Sequence, residues 1–253
     1  SQSQYQSVPS IIIRNPRSKI ALFIISVCSK YAHACRTLKL KMACLKGYPS
    51  GLELLATVSE LSVQKKVTIS EFVSRTGADR EYIIENGYGE SLYSAYEFSD
   101  WGNASCYSES RPFKMRVFGN RGVEAIYFDR PFSSCYQHIE VFTSTHGHIG
   151  GVSQNCGMCR PSFSVTGVTN DCFLSIYGPL CGCTSKYDDF QIKNEYGEVV
   201  GCISKGFRSS TRAANFGITF PIQADVWTKA VLLGACFLIG FNYYEGDVEP
   251  YRV

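Results

Sequence analysis

The stretch Asn215 to Glu245, NFGITFPIQADVWTKAVLLGACFLIGFNYYE, decides how the rest of the chain is read. Phe216, Ile218 and Phe220 alternate with Gly217 and Thr219, the period-two pattern of a half-buried strand. Pro221 cannot donate to a sheet ladder and stops it. Asp225 is placed to cap a helix, and from Val226 to about Phe241 the chain is apolar on every side, through Val231, Cys236 and Leu238. Gly234 and Ala235 let a neighbour approach that helix closely.

Such a helix has to be hidden from water. A bilayer span takes about 20 apolar residues, whereas runs of roughly 10 to 14 are more often core helices. The uninterrupted apolar run here is Val231 to Phe241, and extending it to span length takes in Asp225, Thr228, Lys229 and Asn242. Length therefore favours burial inside the protein's own fold, with a membrane span as the alternative. Two-layer packing covers only one stripe of a helix, so something must surround this one.

The 253 residues are 45% hydrophobic and 19% charged, a globular composition, and a formal net charge of +3 is too small to argue for nucleic acid. The 12 cysteines belong to a chain too long for a small disulfide scaffold. Cys172, Cys202 and Cys236 fall in apolar runs, where free thiols pack as small hydrophobes, so a reducing compartment is expected. Residues 1–47 read as a separate leader. Arg14, Arg17 and Lys19, the apolar run Ile20 to Cys28 and Ala32-His33-Ala34 loosely imitate a signal peptide, but a long polar lead precedes the basic cluster. The domain proper is read as 48–246, followed by a tail at 247–253.

From Pro49 a short helix or turn runs towards Leu61, and Val63 to Val73 reads as two short alternating segments. Then a unit repeats. Ile84-Glu85-Asn86-Gly87-Tyr88-Gly89-Glu90 and Ile192-Lys193-Asn194-Glu195-Tyr196-Gly197-Glu198 share the pattern Ile-x-Asn-x-Tyr-Gly-Glu. Phe113 to Glu124 is a third version, turning at Gly119-Asn120-Arg121-Gly122, and Phe163 to Ile176 a fourth, turning at Thr169-Asn170-Asp171. Asn and Gly tolerate the positive φ that tight hairpins demand, so each is a strand, a turn and a return strand. With His138 to Phe142, Gly147 to Gln154 and Gly201 to Ser204 filling the gaps, the fold class is mainly β: a closed antiparallel barrel of about twelve strands. The all-apolar C-terminal helix is its natural plug.

The terminal stretch, Arg130-Pro131-Phe132 after Ile126-Tyr127-Phe128-Asp129, Tyr177-Gly178-Pro179-Leu180-Cys181-Gly182-Cys183, Asp189-Phe190-Gln191-Ile192-Lys193 and Gly201-Cys202-Ile203-Ser204-Lys205 resemble the phospholipid scramblase family in order and spacing. Pro49-Ser50-Gly51-Leu52-Glu53-Leu54-Leu55 is similar to the start of that family's domain. The resemblance implies a tubby-like barrel around the C-terminal helix, association with the cytoplasmic face of a membrane, the plasma membrane first, and calcium-triggered, ATP-independent movement of phospholipids between leaflets. It also implies a single span made by the same helix, which cannot be plug and span at once.

The family's calcium segment falls on Arg212, Ala214, Asn215, Phe216, Gly217, Ile218 and Gln223. Calcium needs several carboxylate or carbonyl oxygens. Relatives place acids where this chain has Arg212, Ala214 and Gln223, so calcium, the implied cofactor, is expected to bind weakly or not at all. Of the family's acylated Cys-rich run only Cys135 remains, and one acyl chain anchors a protein marginally. Gly201 to Ser210 resembles part of a nuclear-import segment, with Lys205 kept and Cys202 where a lysine is expected.

Cys156-Gly157-Met158-Cys159 and Cys181-Gly182-Cys183, near His146 and His148, are spaced only loosely like a zinc ribbon, so free thiols are expected rather than zinc. No nucleophile elbow, phosphate loop or His-Glu-x-x-His pattern points to an enzyme, and no catalytic residue is assigned. His146-Gly147-His148 reads as a polar turn, and Asn103-Ala104-Ser105 as a loop that happens to fit a glycosylation sequon. Two functions remain. One is a lipid-translocating protein acting on a phospholipid membrane, which with a single helix would need homo-oligomers or bilayer thinning. The other is a peripheral adaptor that binds headgroups or protein partners, with Lys205, Arg208, Arg212 and Lys229 meeting anionic lipid at about 1 kcal/mol each.

Overall fold

The computed structural model describes residues 49–66, 80–98, 112–157, 159–180, 189–206 and 214–244, without the side chains of Ala214 and Asn215. The chain divides into two units, Ser1–Gly47 and Tyr48–Val253, and every described residue belongs to the second. The leader, the Asn103 sequon, Cys181, Cys183, Arg208, Arg212 and the tail lie outside the described residues.

A short 3-10 helix, Leu52–Thr57, precedes twelve strands: β1 (Glu60–Lys66), β2 (Arg80–Asn86), β3 (Ser91–Phe98), β4 (Phe113–Gly119), β5 (Glu124–Arg130), β6 (His138–Thr143), β7 (Gly147–Gln154), β8 (Ser162–Gly167), β9 (Cys172–Tyr177), β10 (Phe190–Lys193), β11 (Val199–Lys205) and β12 (Ala214–Thr219). Each pairs antiparallel with its sequence neighbours, and β1 pairs with β12, so the barrel is closed and keeps no open edge. The segment expected to hold two strands between Val63 and Val73 contributes one, β1, and the remainder is not described.

The four hairpins are built alike. The turns after β2, β4, β8 and β10 have a positive φ at their fourth residue, Gly89 (78°), Gly122 (72°), Asn170 (61°) and Gly197 (80°). In the first of them Gly89 N donates to Asn86 O and Asn86 N to Glu90 O, and the other three repeat the pair of bonds. Each hairpin also carries a register shift just before the turn, as between Ile84 and Glu85 or Ile192 and Lys193. An extra residue there increases local twist, which a closing barrel requires.

The lumen is filled by α1 (Val226–Ile239), capped by Asp225, whose Oδ1 accepts from Thr228 N at 2.7 Å. The helix is followed by a wider, π-type turn over Gly240–Tyr244. Val226, Val231, Gly234, Cys236, Leu238 and Phe241 are all buried. At Gly234 a Cβ would lie 2.9 Å from Val141 Cγ2 and 3.3 Å from the Phe128 ring, which is why the wall can come so close there. Phe237 sits among four rings, those of Tyr82, Phe128, Phe216 and Phe241, with centroids 5.7, 5.7, 5.7 and 5.8 Å away. Of the cysteines expected to be buried, Cys236 is and Cys202 is half-buried, but Cys172 is exposed because it opens β9 on the rim.

Candidate functional site

Antiparallel alternation decides which loops share an end. β12 delivers the chain to Pro221 and the start of α1, so the turns after β2, β4, β6, β8 and β10 lie at that entry end. The loops after β1, β3, β5, β7, β9 and β11 lie at the far end, with the last turn of α1.

The entry end shows apolar and aromatic side chains to solvent. Tyr88 and Tyr196, at the same place in the two matching hairpins, are 97% and 79% exposed, and Ile222, Val168 and Val199 are exposed beside them. Neither tyrosine sits on a loose loop. Asn194 Oδ1 accepts from Tyr196 N at 3.1 Å and Glu198 N at 2.9 Å, and its Nδ2 donates to the Glu198 carboxylate at 2.8 Å. Asn86 holds Tyr88 and Glu90 in the same way. Two cavities open here, one of about 610 Å³ between Phe173, Tyr196, Glu198 and Ile222, the other of about 520 Å³ between His146, Phe173, Asp225 and Trp227. The ring of His146 meets that of Trp227 edge-on at 4.7 Å, so the expected polar turn is also a packing element, and His148 already belongs to β7, its Nε2 2.6 Å from Glu140.

Lys229 corrects the expectation that it could greet headgroups. It is buried, and its Nζ donates to Leu55 O at 3.0 Å and Val58 O at 2.8 Å, pinning the 3-10 helix over the start of α1. Burial pulls its pKa below the ordinary lysine value, with nearby Asp225 opposing. Lys205, by contrast, ends β11 at the far end, half-buried.

At the far end the Arg130 guanidinium, itself buried, donates to Gln137 Oε1 at 2.7 Å and to Asn242 Oδ1 at 2.8 Å. Gln137 Nε2 in turn donates to Ser133 O at 2.9 Å. The loop carrying exposed Cys135 is thereby tied to the last turn of the helix. Phe132 and Tyr136 are exposed in the same loop.

The family's calcium segment is a barrel stave. Phe216 and Ile218 point into the core and pack on α1, Gly217 is paired with Ser62 and Ser204, and Gln223 is exposed beyond Pro221. A six-residue strand is roughly 20 Å long at about 3.3 Å per residue. An extended strand of that length holds its two ends too far apart to share one ion. Among the described residues no group of three or more His, Cys, Asp or Glu is placed to hold a metal, and Cys156 and Cys159 are exposed free thiols.

The fold defines the class as a twelve-stranded antiparallel barrel closed on its own C-terminal helix. The chain belongs to the phospholipid scramblase family, whose model, described as Scramblase, matches residues 39–246. Phospholipid scramblase 1 of Mus musculus is 37% identical over 212 residues, covering 78% of this chain and 64% of that protein. Phospholipid scramblase 2 of Bos taurus is 35% identical over 78% of this chain and 72% of its own length. Phospholipid scramblase 1 of Homo sapiens is 35% identical over 211 residues, 66% of its length. The chain thus spans a little under two thirds of the mouse and human relatives. No solved structure matches it.

Sequence reasoning missed the tether from Arg130 to Asn242, the role of Lys229 and the display of the two tyrosines. The first two join residues far apart in the chain and leave no local signal. The third was written in the repeated Asn-x-Tyr-Gly-Glu, where an exposed aromatic takes the turn position that usually holds a small polar residue.

Proposed function

We propose that this chain moves phospholipids between membrane leaflets in both directions, without ATP and without covalent chemistry. The observation that carries the reading is the family match, which runs through α1. On this reading the protein works at the cytoplasmic face of a membrane, the plasma membrane first, and exposed Cys135 would take a single acyl chain, which anchors a protein only marginally without a second signal. Calcium is left out of the mechanism, because the segment that would hold it lacks acids and is extended. Calorimetry returning micromolar calcium affinity that Gln223→Ala abolishes would reverse that point.

A second reading, a peripheral lipid- or protein-binding adaptor, is favoured by one specific fact. Val226–Tyr244 is long and apolar enough to cross a bilayer, yet 78% of that stretch is buried inside the barrel. Reconstitution of the full chain into vesicles with a fluorescent lipid and an external quencher separates the two. Translocation predicts quenching of both leaflets, with or without calcium. Protection of the inner leaflet at every protein-to-lipid ratio leaves only the adaptor.

A further inference from the structure

Among the described residues no lysine or arginine lines either entry-end cavity. The larger, about 610 Å³, has Phe173, Tyr196 and Glu198 in its lining. Tyr196 and Glu198 come from one turn whose two backbone amides and whose Glu198 carboxylate are held by Asn194, so the charge is fixed in place and the Tyr196 ring projects beside it from a rigid backbone. An anionic ligand would meet a carboxylate with no cation to offset it. A quaternary ammonium would meet what it binds best, aromatic faces and one negative charge, with little hydration to strip away. Ile222, fully exposed on the cavity's lip, and exposed Val199 give apolar surface that suits the boundary of a bilayer rather than open water.

We propose that this cavity takes the trimethylammonium group of a phosphatidylcholine-type headgroup, so that the barrel meets the membrane with its entry end. The assignment rests on the membrane association put forward above and adds a headgroup chemistry and a face of the barrel. That face is opposite the Cys135 loop, so headgroup binding at the entry end does not depend on acylation at the far end.

The test is co-sedimentation of the full chain with vesicles of pure phosphatidylcholine or pure phosphatidylglycerol, alongside titration of free phosphocholine read by tryptophan emission. Binding to phosphatidylcholine at least several-fold tighter than to phosphatidylglycerol is expected. Tyr196→Ala and Glu198→Gln should each weaken it about fivefold, and Tyr196→Phe should keep it, since the ring is what binds. Circular dichroism melts show whether the variants fold. Tyr88→Ala, the equivalent position outside both cavities, should change binding less than twofold. Equal losses from Tyr88→Ala and Tyr196→Ala would mean generic interfacial contact and would overturn the site, as would equal binding to the anionic vesicles. Saturable phosphocholine binding without vesicle binding would overturn the lipid as its source. Failure of the chain to move lipid, with choline selectivity intact, refutes the proposed function and leaves this site standing.

Discussion

Phe237→Ala tests whether α1 belongs to the barrel. The ring is fully buried and touches four others, from β2, β5, β12 and the turn after α1. Removing it deletes the transfer free energy of a large side chain and leaves a hole bounded by rings anchored in a hydrogen-bonded wall. Such a wall cannot collapse inwards, so the cost should sit at the full value for Phe→Ala in a core, about 3–5 kcal/mol. For a domain of this size that is a fall in melting temperature of roughly 6–20 °C, with an unchanged urea m-value. Phe237→Leu should cost less than half as much. The assay is urea unfolding of the chain followed by far-ultraviolet circular dichroism. If α1 were a span outside the barrel, the ring would face lipid or detergent, and the wall would not feel its loss. A destabilisation below 1 kcal/mol would therefore refute the enclosed helix.

Lys229→Met should cost about 2–4 kcal/mol, because it leaves the carbonyls of Leu55 and Val58 without their donor, and hydrogen exchange should rise over residues 52–58 first. Asn194→Ala should cost about 0.5–2 kcal/mol by stripping the turn of three hydrogen bonds, and should add with Asn86→Ala, measured as urea midpoints, since the two turns share no partner. The Tyr93 hydroxyl donates to Gly51 O at 2.7 Å, and burial pushes its pKa well above the ordinary value of 10. A raised folded pKa leaves stability intact below pH 10 and removes it above, where only the unfolded chain ionises. The wild-type chain should lose about 1.4 kcal/mol more per pH unit above 10 than Tyr93→Phe does, and parallel slopes would show that this hydroxyl titrates normally.

The barrel was legible because its information is local. An Asn or Gly at a turn, aromatic residues alternating along each flank and a spacing of 8 to 12 residues survive in sequence whatever surrounds them. The helix was legible as buried for the opposite reason: an element apolar on all sides leaves only a closed wall as its neighbour. The calcium segment shows where this ends. Phe216 and Ile218 fall in the family's calcium segment by resemblance, while their alternation with Gly217 and Thr219 reads as a half-buried strand, and a strand is what they form. Lys229 misled in the same way. A lysine one turn into a helix reads as a surface cation, and only the distant chain at Leu55 and Val58 makes it a clamp.

Plug and span are then two states that a single helix cannot hold while the barrel stays intact. If α1 left for a bilayer, the helix itself would lose little, since lipid is as apolar as the lumen. The wall would lose its cover. Tyr82, Phe128, Val141, Val152, Phe163 and Phe216 are fully buried now, and baring such side chains costs about 1.5–3 kcal/mol each, on the order of 9–18 kcal/mol together. That is comparable to the whole stability of a typical domain, about 5–15 kcal/mol. An emptied barrel would therefore not persist: the strands would open, or lipid chains would have to refill the lumen as the helix withdrew. Any lipid movement that keeps the barrel closed must instead act from its outer surface, which is why the proposed headgroup site is sought at the entry end, where rigid turns hold Tyr88 and Tyr196 out to solvent.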